Sequence, residues 1–233
     1  MSGERSTARE YLEALLIAGI FLAFTNTFLV KTFYIPSSSM EDTLLVGDHL
    51  FVNRFIYGPA PDGPLAGLLP HRAVERGDVV IFRSPEEPEV DMVKRCVGRD
   101  GDRVHLQNKR LHLNGRPVDE SAFAINRDAQ VYRSPVRAGP QAYRRDNFGP
   151  YTVPEQNLFC LGDNRDFSYD SRFFGPVPSH YVKGRALLIY WSYGGETPDG
   201  TWEGWGARIA QFLRTAAGFF TQTRWHRTFT LVR

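Results

Sequence analysis

Three short segments carry the residue types that hydrolytic chemistry needs. Pro36-Ser37-Ser38-Ser39-Met40 supplies hydroxyls, and Asp91-Met92-Val93-Lys94-Arg95-Cys96-Val97-Gly98 sets a lysine inside an apolar, strand-like run. Gly162-Asp163-Asn164-Arg165-Asp166-Phe167-Ser168-Tyr169-Asp170-Ser171-Arg172 is a polar loop behind the apolar run Leu158–Leu161. A serine hydroxyl is a weak nucleophile until a positioned base takes its proton. With no histidine in register a lysine can serve, but only as the free amine. A solvated lysine with a pKa near ~10.4 is protonated at neutral pH, and apolar burial lowers that value by roughly 3–5 units. Strand alternation sends Met92, Lys94 and Cys96 to one face and Val93 and Arg95 to the other. Lys94 therefore has an apolar neighbour on its own face. Each segment also has a plainer reading: turn serines, an edge-strand lysine with a solvated head, and ordinary Asp/Asn turn chemistry.

Other chemistries find less support. The six histidines form no His-x-His pair and no H-E-x-x-H, and two cysteines cannot build a four-cysteine zinc site or a disulfide scaffold. Asp163, Asp166 and Asp170 do not make a calcium loop, because Arg165 takes its third position and the turn glycine is missing. There is no phosphate loop, dinucleotide fingerprint or G-x-S-x-G elbow. The expectation is chemistry without a metal or organic cofactor. Cys96 and Cys160 read as small buried apolar residues, with their pairing left open.

The elements around these segments read as a tethered, mainly β protein. The 233 residues are 42% hydrophobic and 23% charged, which excludes wholesale disorder. A net charge of +2 is too balanced for a nucleic-acid footprint, so no nucleic-acid partner is expected. Ala14 to Val30 carries no charge and is long enough for one transmembrane helix, with Tyr11 and Tyr34 as interfacial anchors. A cleaved signal peptide is the competing reading, opposed by Glu10 and Glu13 directly before a long apolar region. Arg5 and Arg9 against Lys31 lean toward a cytoplasmic N-terminus.

Beyond Tyr34, strands are expected at His49–Phe55, Val79–Phe82, Met92–Val97, Val104–Gln107, Leu111–Leu113, Leu158–Leu161 and Leu187–Trp191. Asn108-Lys109 and Asn114-Gly115 read as tight hairpin turns. Gly58–Pro70 and Arg127–Pro150 read as loops. Trp205–Phe220 has the spacing of an amphipathic helix, suited either to a membrane surface or to packing on its own domain. Thr228–Val232 reads as an edge strand. The expected organisation is a tail and anchor over 1–34, a catalytic β domain over 35–202 with a loop-rich insertion near 121–150, and an amphipathic segment over 203–233.

In this order, the three segments resemble the boxes of bacterial type I signal peptidases (leader peptidases). The first box runs from Pro36-Ser37-Ser38-Ser39-Met40 through Thr43-Leu44 to Gly47-Asp48, and a central box is Gly77-Asp78-Val79-Val80-Ile81-Phe82. The lysine box is Lys94-Arg95-Cys96-Val97-Gly98 followed by Gly101-Asp102, and the last is Gly162-Asp163-Asn164-Arg165-Asp166 with Ser168, Asp170, Ser171 and Arg172. The likeness spans about Ile35 to Tyr193 and is weakest between Ser121 and Phe148.

It implies a signal-peptidase-type β ectodomain behind a single transmembrane helix, in the bacterial cytoplasmic membrane with the catalytic domain outside. By resemblance Ser39 is the nucleophile and Lys94 the general base. Ser37 and the Ser39 N–H line the oxyanion hole, Ser168 holds Lys94 by a hydrogen bond, and Asp170 with Arg172 supports the site. Ile35, Pro36, Met40, Leu44 and Val93 form shallow apolar pockets for small side chains at P1 and P3. The implied partners are signal peptides of exported preproteins and membrane lipid. Two rivals are a self-cleaving repressor, which would carry a helix-turn-helix in place of the apolar anchor, and a catalytically silent tethered β domain that binds exported segments.

Overall fold

The computed structural model describes residues 7–24, 30–57, 71–195 and 204–232. Arg5, the Thr25-Asn26-Thr27 interruption and the loop expected at 58–70 lie outside the described residues. The chain begins with α1 (Thr7–Phe24) and β1 (Val30–Tyr34), then β2 (Asp48–Asn53), β3 (Val79–Arg83), β4 (Asp91–Arg99), β5 (Arg103–Gln107), β6 (Arg110–Leu113) and β7 (Arg116–Pro117). Two short helices follow, α2 (Pro135–Ala138) and α3 (Pro140–Asp146), then β8 (Phe148–Thr152), β9 (Asn157–Leu161) and α4 (Ser171–Phe174). The last elements are β10 (Val177–Pro178), β11 (Val182–Ser192), α5 (Gly204–Gln222) and β12 (Thr230–Leu231).

The strands form two antiparallel sheets. The larger has the order β1-β2-β11-β3-β4-β9-β10, with β12 also on β11, and the smaller is β7-β6-β5-β8. Alternation explains β2, where Leu50 and Val52 point inward between half-buried His49, Phe51 and Asn53. In β3 Val79, Val80, Ile81 and Phe82 are all buried, as a central strand covered on both faces requires. Bulges interrupt β4 between Cys96 and Gly98, and interrupt β11 at several points, bending both strands. Side chains pack into three apolar clusters, around Leu44 and Ile81, around Val80 and Phe82, and around Val104 and Phe159.

Both expected hairpin turns form. Asn108 (φ 51°) and Lys109 (φ 67°) join β5 to β6, and Asn114 (φ 53°) and Gly115 (φ 81°) join β6 to β7. Two consecutive positive φ values match the right-handed twist of the flanking strands. The strained Lys109 is tied down by its amine, which donates to Asp166 Oδ1 and the Asp128 carbonyl, each at 2.7 Å.

Some expected boundaries shift. Within the apolar run from Ala14 to Val30, α1 is described as far as Phe24, and Val30 pairs with Asn53 in β1. No described helix is long and apolar enough to cross a membrane. The sheet thus begins before residue 35. The loop expected at Arg127–Pro150 contains α2, α3 and the start of β8, because prolines at their first positions suit helix starts and Phe148 pairs with Leu106. Helix α5 forms where an amphipathic helix is expected. Trp205, Ile209, Phe212, Leu213 and Phe220 are all exposed, and the helix joins the body at its C-terminal end, where the Trp191 indole donates to Thr223 at 3.0 Å.

Candidate active site

Ser39 sits in a single 3-10 turn, Ser38–Met40, directly after β1. The Ile35 N–H donates to the Asp48 carbonyl and the Gly47 N–H to the Ile35 carbonyl, fixing the entry to this turn. From the far side of the chain, the Asn164 N–H donates to the Ser39 carbonyl at 3.1 Å and its amide donates to the Ser38 carbonyl at 3.1 Å. Two distant boxes thereby meet at one turn.

Lys94 lies on β4, which has β3 on one side and β9 on the other. This is an interior strand, so the edge-strand reading does not apply. Lys94 is 3% exposed, and Met92 and Cys96 on either side of it belong to an apolar cluster with Val80 and Phe82. Its amine donates to Ser39 Oγ at 2.6 Å. Burial lowers the Lys94 pKa to about 8, with Asp170 pulling it back up and Arg172 adding to the fall. At pH 7 an amine with a pKa of about 8 is free base to roughly one part in ten, far more than a solvated lysine. The second hydroxyl, Ser37 Oγ, stands 3.4 Å from Ser39 Oγ and is exposed.

Behind the pair, Asp170 and Arg172 are buried together. Arg172 Nε and Nη2 donate to the two Asp170 oxygens at 2.9 and 2.8 Å, and the Arg172 and Gly162 N–H groups add bonds to Asp170 at 3.2 and 3.1 Å. Burial alone would raise the Asp170 carboxyl, but the Arg172 charge and these hydrogen bonds hold it below its ordinary value. Arg172 also donates to the Arg165 carbonyl at 2.7 Å, so the guanidinium ties the polar loop together.

The Ser168 hydroxyl is buried against Gly162 and helps hold the Asp170 carboxyl below its ordinary value. A Cβ on Gly162 would lie 2.2 Å from Ser168 Oγ and 2.5 Å from the Ser39 carbonyl oxygen. Ser168 and the nucleophile's backbone crowd the bare face of Gly162, which only glycine can provide.

The residues expected to line substrate pockets are brought together, though mostly below the surface. Ile35, Met40 and Leu44 are at most 3% exposed and share a core cluster against which half-buried Val93 packs. Open surface on this side is left to Pro36 and Val93.

Sequence reasoning missed a second buried ion pair. Arg95 Nε and Nη2 donate to Asp163 at 2.8 and 2.7 Å, Thr43 Oγ1 donates to the same carboxylate at 2.6 Å, and the Arg95 guanidinium lies 4.3 Å over the Phe123 ring. Arg165 likewise pairs with Glu120, its Nη1 donating at 2.8 Å. The available signal was an arginine directly after the lysine and an aspartate opening the polar loop. Nothing in the spacing said that they face each other.

The first box and the lysine box thus meet in one buried contact, Lys94 with Ser39, backed by the last polar box. Residues 8–191 match the family model described as "Signal peptidase, peptidase S26". Signal peptidase I of Pseudomonas aeruginosa is 35% identical over 193 residues, covering 72% of this chain and 67% of that protein. The probable signal peptidase I-2 of Synechocystis is 31% identical, covering 76% of this chain and 70% of its own. Signal peptidase I of Aquifex aeolicus is 29% identical, covering 82% and 86%. The crystal structure of a signal peptidase I from Enterococcus faecalis is similar at 28% identity over 49% of this chain and 97% of that one, with a TM-score of 0.38. The chain belongs to the signal peptidase family, peptidase S26, and is a hydrolase of the class that acts on signal peptides.

Proposed function

We propose that this chain cuts signal peptides from exported preproteins by acyl transfer, with Ser39 as nucleophile and Lys94 as general base. The observation that carries this reading is the buried 2.6 Å contact between Lys94 Nζ and Ser39 Oγ, made by an amine whose pKa is lowered to about 8. Once the amine loses its proton, the contact reverses and Ser39 O–H donates to Nζ. Attack on the scissile carbonyl passes the serine proton to Lys94. The resulting oxyanion is met by Ser37 O–H and the Ser39 N–H, within reach of the nucleophile. Lys94 then gives its proton to the leaving amine, and an ester to Ser39 remains. Water, deprotonated by Lys94, hydrolyses that ester and restores the pair.

Asp170 and Arg172 support the site through Gly162, and Ser168, buried beside Gly162, helps hold Lys94 by a hydrogen bond. Small side chains at P1 and P3 suit the shallow surface of Pro36 and Val93, with Ile35, Met40 and Leu44 as its floor. Membrane anchoring through the N-terminal segment, with the catalytic domain on the extracytoplasmic side, is part of the same reading. It is supported by family membership and by the uncovered apolar faces of α1 and α5.

The test is cleavage of an Ala-x-Ala peptide by the full chain. Ser39→Ala and Lys94→Arg each lose at least about 10³-fold in turnover, and the double variant is little worse than either. Arginine keeps the charge but cannot act as a base. A folded Lys94→Arg protein with most of the activity would reject the assignment. Equal turnover of P1 Ala and P1 Phe substrates would reject the pocket.

A further inference from the structure

Cys96 and Cys160 take no part in the proposed chemistry, yet they face each other directly across β4 and β9. Both are free thiols with no exposed surface, and both lie in the same apolar cluster. The hydrogen bonds around them define the kind of pair they form. The Cys96 N–H donates to the Asp78 carbonyl and its own carbonyl accepts from Gly77, so both groups point toward β3 and away from β9. The Cys160 N–H points away too, donating to Ser171 Oγ at 3.0 Å. Residues opposed in this way are a non-hydrogen-bonded pair, in which the Cα atoms stand about 4.5 Å apart. That spacing falls inside the roughly 4.4–6.8 Å window over which a disulfide can close, at its short end.

We propose that Cys96 and Cys160 form a cross-strand disulfide that clamps β4 to β9 directly behind the Ser39–Lys94 pair. The bond would join a residue two positions after Lys94 to one two positions before Gly162, the two points from which the site is held. Closure takes a disulfide-bonded oxidant. The thiolate of Cys96 attacks it and releases one thiol, then the Cys160 thiolate attacks the Cys96 sulfur of the mixed disulfide and expels the second. Two protein thiols are oxidised, one small disulfide is reduced to two thiols, and two protons leave the cysteines. Burial pushes the Cys160 thiol well above its ordinary pKa, and neither sulfur reaches solvent, so the exchange belongs to the folding chain before the sheet closes.

The test refolds the reduced full chain in detergent with a mixture of reduced and oxidised glutathione, then blocks remaining thiols and digests with trypsin without reductant. Cleavage after Arg95 and Arg99 frees Cys96-Val97-Gly98-Arg99, which the proposal expects linked to the peptide 146–165 that carries Cys160. Reductant added to the refolded protein under unfolding conditions lowers its thermal midpoint by several degrees, and does nothing to Cys96→Ala/Cys160→Ala. Recovery of both peptides unlinked and singly blocked would overturn the proposal, as would a wild-type midpoint indifferent to reductant. The refolding makes no use of the cell compartment or of activity, so its failure is separable from that of the proposed function.

Discussion

Asn164 holds the turn that presents Ser39: its backbone N–H bonds the Ser39 carbonyl and its side-chain amide bonds the Ser38 carbonyl, each at 3.1 Å. One residue thus fixes two successive carbonyls of the nucleophile turn. Asn164→Ala removes the amide bonds to the Ser38 carbonyl and to Glu41 Oε2 (3.3 Å) and keeps the backbone one. A lost hydrogen bond of about 1–1.5 kcal/mol corresponds to roughly a tenfold effect. We expect kcat to fall about tenfold with KM little changed, because Asn164 touches the turn and not the pocket wall. Steady-state kinetics check this, and an unchanged kcat would remove Asn164 from the positioning of Ser39.

Arg95 and Asp163 are both almost fully buried, and Asp163→Asn leaves the Arg95 charge without its carboxylate. Breaking such a pair from one side costs about 3–5 kcal/mol, mainly as the desolvated charge left behind. The exposed pair of Arg127 with Glu41 at 3.4 Å is the internal contrast, and Arg127→Ala should cost under about 1 kcal/mol. Urea unfolding of the two variants measures the difference. Similar losses in both would show that burial does not govern these pairs.

Lys94 carries a stability cost that follows from its depressed pKa. The unfolded chain binds a proton up to about 10.5 while the folded chain releases it at about 8, a gap equivalent to roughly 3 kcal/mol. Below about 8 both states are protonated and the full cost applies. Between about 8 and 10.5 only the unfolded state holds the proton, so stability rises with pH across that window. Lys94→Met should therefore be more stable than wild type at neutral pH by up to about 3 kcal/mol, with the gap closing as pH approaches 10.5. Denaturant titrations at several pH values test this, and a pH-independent gap would show that Lys94 is not desolvated.

Much of the framework was legible in the sequence where local rules act. Alternation in β2 and β5, and the asparagines at the two hairpin turns, are properties of a few neighbouring residues. What escaped depends on partners far along the chain. β8 is built from Phe148, Gly149 and Pro150, a loop-like string that becomes a strand only because β5 offers it a pairing edge. The Arg95–Asp163 and Arg165–Glu120 pairs need the sheet to exist before they can form. The contact of Ser39 with Lys94 could be anticipated from chemistry and resemblance. The crowding of Ser168 and the Ser39 carbonyl onto Gly162 could not, because it depends on distant boxes meeting.

The central claim is that the amine of Lys94, desolvated beside Ser39, is the base. Its most direct measurement is kcat/KM of the full chain on an Ala-x-Ala peptide from about pH 6 to about pH 10, which reports the ionisation of the free enzyme's essential base. The account predicts a single rise with its midpoint near 8, in keeping with the buried amine. A midpoint near the 10.5 of a solvated lysine, or a profile without a rise, would contradict it.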